Sequence, residues 1–443
     1  MKQLVFLFAL IFSASVSAQT AREDIKADIN KSGSNHCIYL GPQKKLSPAP
    51  KGKTPFYISH YGRHGSRYLC GKNEYTSLEN VLLKADKYGK LTAEGKEVLR
   101  KVVFVCNEAH NRAGELTDLG AAQHKGIAKR MYERFPEVFA DSACIDAKST
   151  VVIRCILSME NALHQFLVMN PKLKIRHDAS EHDMYYMNFG NDWIEKYRMT
   201  RATREQIAKW TNEHCSPDRL MKVLFNDKDY VRDSLRAQSV YFDLFKVASI
   251  IQGCESRHQI DLMSIFTEDE VYYNWERNNI SWFMSHTGNA QNLGLPPYIQ
   301  RNLLRNIIHQ ADSCIMIEKP GATLRYGHET MVLPLSSLLE LNNNCQPISD
   351  VTKVTENWQN YKVFPMAANV QFIFYRKDIN DKDVLVKVLL NEDEATMPIA
   401  TDCAPYYHWK DVRAYYINKL DTFEKNMPKL KEEASKIDWG RFW

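Results

Sequence analysis

Apolar residues along the chain follow two patterns, and the order of these patterns indicates an α/β protein. Short runs rich in β-branched and aromatic residues predict strands at residues 55–61, 149–153, 322–326, 370–375 and 384–391. Apolar residues spaced three and four apart predict helices at residues 78–85, 91–105 and 121–135, the last stopped by Pro136. This order favours a largely parallel central sheet, with the last two strands paired through a turn at 377–383.

Strand signals almost vanish between residues 191 and 312, where helical patterns replace them. Thr267 and Glu270 have the spacing of a helix capping box, and Pro296-Pro297 precedes another helical pattern. We therefore expect an inserted all-helical domain. The predicted organisation is an α/β domain in two parts, residues 19–185 and 313–443, with the helical domain at 186–312 between them.

The first 18 residues have the features of a secretory signal peptide. A lysine near the start is followed by an apolar run and by the small residues Val16-Ser17-Ala18. The apolar run is too short to cross a bilayer as a helix, and no other stretch is long enough and apolar enough. The sequence therefore predicts a secreted or periplasmic protein without a transmembrane segment.

Composition narrows the class of protein further. The 443 residues, 44% hydrophobic and 25% charged, suit a soluble protein with a large core. A net charge of +5 against 58 basic residues does not indicate nucleic-acid binding. Ten cysteines, all after the predicted signal peptide, favour several disulfides in an oxidising compartment. None of them lies in a Cys-x-x-Cys pair, which disfavours a structural zinc site.

The most informative stretch is residues 57–68, where an aromatic strand pattern runs into the turn Arg63-His64-Gly65-Ser66-Arg67. Two guanidinium groups can bind phosphate oxygens in bidentate fashion and stay charged at any pH. His64 between them can offer an unprotonated ring nitrogen as a nucleophile, because nearby positive charge lowers its pKa. The glycines let the backbone turn sharply next to a ligand. This stretch predicts a site for a phosphoryl group.

Two later segments place further candidates at the ends of predicted strands. Arg154 follows the strand pattern at 149–153, and Glu329 follows the pattern at 322–326 and opens a helix. Ligands of open α/β sheets bind beyond the carboxyl ends of the strands, and the start of a helix favours negative charge. These positions are consistent with one shared pocket.

The motifs resemble those of the histidine phosphatase superfamily, in its acid phosphatase and phytase branch. Arg63-His64-Gly65-Ser66-Arg67 matches the signature of that family, although the proline two residues further on is replaced by Leu69. The segment from Ser149 to Arg154 matches another of its motifs. His328-Glu329 is similar to the second signature, with the glutamate of the inositol polyphosphate phosphatases but the spacing of the His-Asp form. Residues 114–139 and 365–392 also resemble the inositol branch.

The resemblance implies a fold, a mechanism and a class of substrate. The fold would be a sandwich with a mostly parallel sheet and a helical insert. His64 would be the nucleophile and Glu329 the proton donor, without a metal or an organic cofactor. The remaining roles implied are those of phosphate-binding residues: Arg63, Arg67, Arg154 and His328.

The substrate implied is a small polyanion, an inositol polyphosphate such as phytate. Two alternatives stay open: a broad-specificity acid phosphatase acting on sugar phosphates or phosphoglycerates, and a polyanion-binding protein without turnover. The oligomeric state is not indicated.

Several other polar residues are weaker candidates. The cluster at residues 177–183 has no strong metal-ligand spacing and is interpreted as a polar loop. His124 is interpreted as a structural residue of its helix. Lys72 and a row of arginines at three-residue steps could bind further phosphates, although a solvated helix face is the simpler interpretation for the row. The row consists of Arg198, Arg201 and Arg204.

Overall fold

A computed structural model describes residues 21–188, 192–344 and 346–440 of the chain. The predicted signal peptide lies outside these residues. The described strands form one eight-stranded sheet. In chain order they are β1 (Thr54–Arg63), β2 (Cys144–Ser149), β3 (Lys174–Asp178), β4 (Gly321–Gly327), β5 (Asn369–Arg376), β6 (Leu385–Leu390), β7 (Asp393–Ala395) and β8 (Tyr407–His408).

The sheet confirms the predicted α/β class. Its strand order is β3-β2-β4-β1-β5-β6-β7, and β8 also pairs with β6. The neighbours from β3 to β1 are parallel to one another. The pairs from β1·β5 onward are antiparallel, including the predicted hairpin of β5 and β6. Every residue of β1 after the first is buried, as expected for a central strand covered on both faces.

Helices cover both faces of the sheet. The longer ones are α1 (Asn73–Lys87), α2 (Ala93–Glu108), α3 (Asp118–Arg134), α4 (Ile153–Met169), α5 (Arg201–His214), α6 (Ala237–Ile250), α7 (Glu268–His286), α8 (Arg301–Ile315), α9 (Glu329–Leu338) and α10 (Trp409–Ser435). Shorter helices are Met184–Met187, Asp218–Leu224, Lys228–Ser234, Val354–Asn357 and Asn360–Val363. Among the 3₁₀ helices, Ile29–His36, Trp193–Tyr197 and Pro296–Gln300 matter below.

Successive residues of β1 belong to different hydrophobic clusters. Ile58 lies in a cluster with Met131 of α3 and Phe166 of α4. Tyr57 lies in the other, larger cluster, with Leu78 of α1 and Trp275 of α7. Because adjacent strand residues point to opposite faces, the two clusters fill the two sides of the sheet. The protein is therefore an α/β/α sandwich.

Between β3 and β4 the described residues are helices, 3₁₀ turns and loops, in agreement with the predicted helical character of this segment. The predicted capping box of Thr267 and Glu270 is present at the start of α7. Most buried apolar side chains of this segment share one cluster with α1 and α2. Ile194, Leu295 and Ile299 belong to a smaller cluster with Phe423 of α10. The domain boundaries at 186 and 312 stay a prediction.

Two local predictions are wrong. The strand predicted at 149–153 ends at Ser149, and Ile153 already begins α4. Val151 and Ile153 are exposed, so their β-branched side chains reflect no buried strand. His177 and Asp178, predicted in a polar loop, form the end of β3 instead. There they pair with Ala147 and Lys148 of β2, and this pairing outweighs the polarity of their side chains.

The expected disulfides are not present among the described cysteines, all of which are free: Cys37, Cys70, Cys106, Cys144, Cys155, Cys215, Cys254, Cys314 and Cys403. Several thiols contact backbone carbonyls instead, as Cys254 does with Ile250 at 3.4 Å. Burial raises the pKa of the Cys155 thiol to about 12. None of the helices in the described ranges is long and apolar enough to cross a bilayer.

Candidate active site

The site is built where two parallel strands end side by side. Arg63 of β1 lies in register with Gly327 of β4. The next residues, His64 and His328, therefore leave the sheet at the same edge, and the backbone N–H of His64 donates to the Gly327 carbonyl at 2.8 Å. The two imidazole rings meet edge to face, with centroids 5.7 Å apart. Parallel pairing thus joins two motifs that are separated by more than half of the chain.

The turn after His64 is held against the start of α3. A Cβ on Gly65 would lie 2.4 Å from the Gly120 carbonyl oxygen, and one on Gly120 would lie 2.2 Å from the Ser66 carbonyl oxygen. Thr117, the N-cap of α3, donates from its hydroxyl to the Ser66 carbonyl at 3.1 Å. Gln123 accepts from the Ser66 N–H at 2.8 Å. The glycine-rich segment before α3 is therefore a packing element, as its sequence indicated.

The hydrogen bonds of His64 select one tautomer of its ring. Nδ1 lies 2.8 Å from the Gly65 carbonyl oxygen. Because a carbonyl only accepts, Nδ1 carries the hydrogen and Nε2 keeps a free lone pair. Burial, followed by the charge of Arg63, lowers the pKa of the ring well below its usual value, although Glu329 opposes the shift. His64 is therefore a neutral imidazole with Nε2 available as a nucleophile.

Arg63 is fully buried and is fixed by two backbone carbonyls. Its Nη1 donates to Phe364 at 2.8 Å and its Nη2 to Asn35 at 2.7 Å. Burial lowers its pKa to about 10, so the guanidinium stays charged at neutral pH. Both bonds are made by the two terminal nitrogens of the guanidinium group, so that Nε is the nitrogen on the side of the pocket.

Arg67 and Arg154 bring two further guanidinium groups to the same place. Nη1 of Arg67 donates to the backbone carbonyl of the next residue, Tyr68, at 2.9 Å. Arg154 lies in the first turn of α4, and Ser158 joins this turn to the nucleophile loop by donating to the Arg154 carbonyl and accepting from the Gly65 N–H. Within the described part of the chain, the buried Nε atoms of Arg63, Arg67 and Arg154 have no hydrogen-bond partner. Such donors suit a ligand with several oxygens.

Glu329 is the first residue of α9, and its carboxylate reaches into the arginine cluster. Its Oε2 lies 3.0 Å from Arg63 Nε and 3.5 Å from His64 Nε2. The contact with Arg63 is an ion pair without hydrogen-bond geometry. Burial alone would raise the pKa of this carboxyl, but the charge of Arg63, with that of Arg67, outweighs burial and holds the pKa well below its usual value. In the ligand-free protein Glu329 is therefore ionised.

His328 forms another wall of the pocket. Its Nε2 lies 3.3 Å from the Thr150 hydroxyl and 3.8 Å from the Cys155 thiol. Burial, followed by the charge of Arg154, lowers the pKa of His328 to about 4. A neutral imidazole at this position can donate one hydrogen bond to a bound oxyanion.

Among the residues that the structure describes, two groups of side chains have the donor types of a metal site. One consists of His64, His328 and Glu329, with ligand atoms within 4.8 Å of one another. Three guanidinium groups adjoin this set, which favours an anion over a divalent cation. The other group, Asp402, Cys403 and His408, lies at the surface near β8. The two ring nitrogens of His408 are hydrogen-bonded to two carboxylates, that of Asp402 in this group and that of the nearby Asp383.

A family model for the histidine phosphatase superfamily, branch 2, matches residues 62–391, well over half of the chain. The chain belongs to this superfamily. A search of curated proteins finds no match.

Solved structures share the histidine phosphatase fold. The multiple inositol polyphosphate phosphatase of Bifidobacterium longum, in complex with inositol hexasulfate, is 18% identical with a TM-score of 0.70. The alignment covers 87% of this chain and 97% of that one. The phytase of D. castellii is 13% identical with a TM-score of 0.63, over 88% of this chain and 85% of that one. At these identities the likeness establishes the fold alone, and the family match confirms the expected enzyme class of histidine acid phosphatases.

The structure of this histidine phosphatase brings all six predicted site residues to one pocket: Arg63, His64, Arg67, Arg154, His328 and Glu329. One of them is placed on a different element from the predicted one, since Arg154 begins a helix and does not end a strand. The reach of Glu329, which the short His328-Glu329 spacing made uncertain, is sufficient to contact both Arg63 and His64.

The weaker candidates lie in varied surroundings. Arg198 precedes α5, so the three arginines do not form one helical row. Arg201 is exposed and pairs with Glu205 at 2.9 Å, while Arg204 contacts the carbonyl of Trp439. Arg198 is largely buried, and its Nη1 lies 3.1 Å from His286 Nε2. Lys72 is exposed at the start of α1.

Sequence reasoning missed three residues that surround the pocket. Ser158 and Gln123 hold the nucleophile loop by side-chain bonds to backbone atoms. His36 lies close enough for the charges of Arg63, Arg67 and Glu329 to act on its ring. Ser158 lies five residues after the end of the predicted strand and belongs to the family motif that continues past Arg154, but nothing in the irregular segment around His36 indicates a functional residue.

Proposed function

We propose that this histidine phosphatase hydrolyses phosphomonoesters through a phosphohistidine at His64. The observation that carries the proposal is the free Nε2 of His64, which is set by the bond from Nδ1–H to Gly65 and lies among three guanidinium groups. A nucleophilic nitrogen and charged donors for the transferred group are what phosphoryl transfer requires.

In the first step, Nε2 attacks phosphorus in line with the leaving oxygen. A nitrogen–phosphorus bond forms and the ester oxygen–phosphorus bond breaks. Arg63, Arg67 and Arg154 stabilise the charge on the equatorial oxygens, and His328 donates a further hydrogen bond. Glu329 transfers its proton to the departing alkoxide.

In the second step, water attacks the phosphohistidine from the side that the alcohol has left. Glu329, now ionised, accepts a proton from this water as the new oxygen–phosphorus bond forms. The nitrogen–phosphorus bond breaks, and His64 returns to the neutral tautomer that its bond to Gly65 favours. Inorganic phosphate is released.

The proton on Glu329 has to arrive with the substrate. In the free protein the neighbouring charges keep this carboxyl ionised. A phosphate dianion bound to the same arginines neutralises their effect and adds negative charge, so it raises the pKa of Glu329. Substrate binding is therefore coupled to the uptake of a proton, which then serves the leaving group.

The substrate class that we propose is inositol polyphosphates, including phytate. The support comes from the motif resemblance and from structural neighbours whose names describe inositol polyphosphate phosphatases and phytases. One of those neighbours is bound to inositol hexasulfate. We also propose that the protein acts outside the cytoplasm, on the basis of the signal-peptide pattern of residues 1–18.

Phosphate release from purified protein tests the proposal. Inositol hexakisphosphate, a sugar phosphate and p-nitrophenyl phosphate are compared with and without a chelator. We expect all three to be cleaved, the hexakisphosphate with the highest kcat/KM, and the chelator to have no effect. A higher kcat/KM on the sugar phosphate would favour a broad acid phosphatase. Binding of the hexakisphosphate without release of phosphate would favour a non-catalytic polyanion-binding protein.

A further inference from the structure

His36 lies on a segment that is fastened to the residues around the nucleophile. It is the last residue of the 3₁₀ helix Ile29–His36. The carbonyl before it, that of Asn35, accepts from Arg63 Nη2 at 2.7 Å. The carbonyl after it, that of Cys37, accepts from the Met366 N–H at 2.7 Å. The backbone is therefore bonded to distant residues just before and shortly after His36.

Further contacts hold the same segment from two other directions. The hydroxyl of Ser34 accepts from Asn360 Nδ2 at 2.9 Å. On the side of α6, the Ile38 N–H donates to Gln252 Oε1 at 3.1 Å. Bonds to three separate parts of the chain leave the backbone at His36 little freedom to move, so the position of its ring is well defined.

The ring of His36 is almost fully buried, with 9% of the residue exposed. Burial lowers the pKa of the ring well below its usual value, and the charges of Arg67, Arg63 and Lys246 lower it further, while Glu329 opposes them. The ring is thus a neutral donor and acceptor, close to the charged groups of the pocket and to Lys246 of α6.

We propose that His36 binds a second phosphate of a polyphosphate substrate, adjacent to the phosphate that is cleaved. The inference rests on the proposed function. Arg63 and Arg67 bind the cleaved phosphate, and the carbonyl next to His36 is bonded to Arg63. The ring, which also lies near Lys246 of α6, is therefore placed to meet the neighbouring substituent. A phosphate there accepts the imidazole N–H and, by its charge, favours protonation of the ring.

Lys246 has a supporting position in this arrangement. Its Nζ lies 3.3 Å from Glu74 of α1, and its side chain is partly exposed. The ammonium group is therefore held near the rim by a carboxylate, where a second phosphate can compete for it. A monophosphate that fills only the pocket of Arg63, Arg67 and Arg154 reaches neither His36 nor Lys246. His36 therefore selects for polyphosphates and has no part in the chemical steps.

Binding in a catalytically inactive background tests the inference without relying on turnover. The dissociation constants of inositol hexakisphosphate and of inorganic phosphate are measured by calorimetry for His64→Ala and for His64→Ala/His36→Leu. We expect His36→Leu to raise the dissociation constant of the hexakisphosphate about tenfold relative to that of inorganic phosphate. This is the size of one lost hydrogen bond to a charged group. His36→Gln, which keeps a donor, should recover part of the loss.

The controls separate the inference from the folding of the variant and from the proposed function. His36→Ala removes the ring without adding an apolar side chain and should give the same change of ratio as leucine. His309→Leu, an exposed histidine of α8, should leave the ratio unchanged. Equal weakening of both ligands, or no weakening of either, would overturn the role of His36. Turnover by the unmodified protein tests the proposed function separately.

Discussion

The Nδ1–H of His64 is bonded to the Gly65 carbonyl, and the ring therefore presents Nε2 to three guanidinium groups. Glu329 meets the same nitrogen at 3.5 Å. One side chain thus carries the lone pair and the other the carboxyl, and the carboxyl lies close enough to act on a group that is bound at Nε2. The role of each side chain can be tested by replacing it alone.

Replacing Glu329 by glutamine should separate the chemistry of the leaving group from that of the nucleophile. The amide keeps the shape of the side chain but cannot protonate an alkoxide. We expect the first step on an inositol phosphate to slow about 10²–10⁴-fold, and the burst of p-nitrophenolate, which leaves without a proton, to slow about tenfold or less. The second step, in which Glu329 accepts a proton from water, should slow for both substrates alike. Pre-steady-state kinetics on the two substrates measure the difference in the first step. Equal slowing of the first step on both would indicate another proton donor.

Proton uptake should accompany anion binding. The pKa of Glu329 is lowered in the free protein and raised by a bound anion, so the complex holds more protons than the free protein. Affinity is then greatest at low pH and is lost as pH rises through the pKa of the complex. Sulfate, whose charge is constant over this range, should bind more tightly from pH 7 toward pH 4, by up to about tenfold per pH unit for one proton.

Calorimetry in two buffers of different ionisation enthalpy measures this uptake directly. His64 also has a lowered pKa and contributes to the proton uptake. Glu329→Gln should therefore bind sulfate more tightly than the unmodified protein at pH 6 and take up fewer protons. Unchanged affinity and unchanged uptake in this variant would contradict the ionised state of Glu329 in the free protein.

At the residue scale, the sequence was informative where chemistry is concentrated in a short motif. Arg63, His64 and Arg67 lie within five consecutive positions, and their combination has few explanations other than phosphate binding. His36 has no such signal, because its importance depends on contacts of Asn35 and Cys37 with residues distant in the chain. A side chain whose position is set by long-range backbone bonds cannot be recognised from its neighbours in sequence.

At the scale of elements, the start of α3 positions the nucleophile loop. Gly120 allows the helix to approach Ser66 more closely than any side chain would permit. The predicted bounds of α2 and α3 were close to the observed ones because their apolar residues have clear helical spacing. Helix α1 was predicted at 78–85 but begins five residues earlier, at Asn73, in a turn with few apolar residues. The strand predicted at 149–153 failed because it was based on β-branched residues alone, without alternation of buried and exposed positions. β2 itself alternates in this way.

Gly120→Ala should displace the nucleophile. A Cβ 2.2 Å from the Ser66 carbonyl oxygen meets backbone that can only move as part of the loop. We expect kcat to fall about 100-fold, since small displacements of reacting groups have effects of this size. Gly126→Ala in the same helix is the matched control, because its Cβ meets no backbone and only the side-chain end of Arg130, at 3.1 Å. Full activity of Gly120→Ala would show that α3 does not position His64.

At the scale of the whole molecule, the pocket depends on the order of strands. β1 and β4 are neighbours in the sheet although β2, β3 and the long helical segment lie between them in the chain. The sequence predicted that both strands end at one edge, but adjacency and register arise from packing across the sheet. The pairing of Arg63 with Gly327 could not be read from local patterns.

The two faces of the sheet also differ in a way that composition does not reveal. One hydrophobic cluster joins α1 and α2 to the helical segment, while α3 and α4 pack against the other face. The segments that carry Arg154, Gly65 and Glu329 thus come from both sides of the sheet and meet at its edge.

The central claim is that phosphate is transferred to His64, and trapping of that intermediate tests it most directly. Protein mixed with ³²P-labelled substrate is quenched with alkali within milliseconds, and the labelled peptide is sequenced. We predict an acid-labile, base-stable phosphohistidine at His64, more of it in Glu329→Gln with p-nitrophenyl phosphate, and none in His64→Ala, whose kcat should fall at least about 10³-fold. Turnover close to normal in His64→Ala, or label on another residue, would contradict the account.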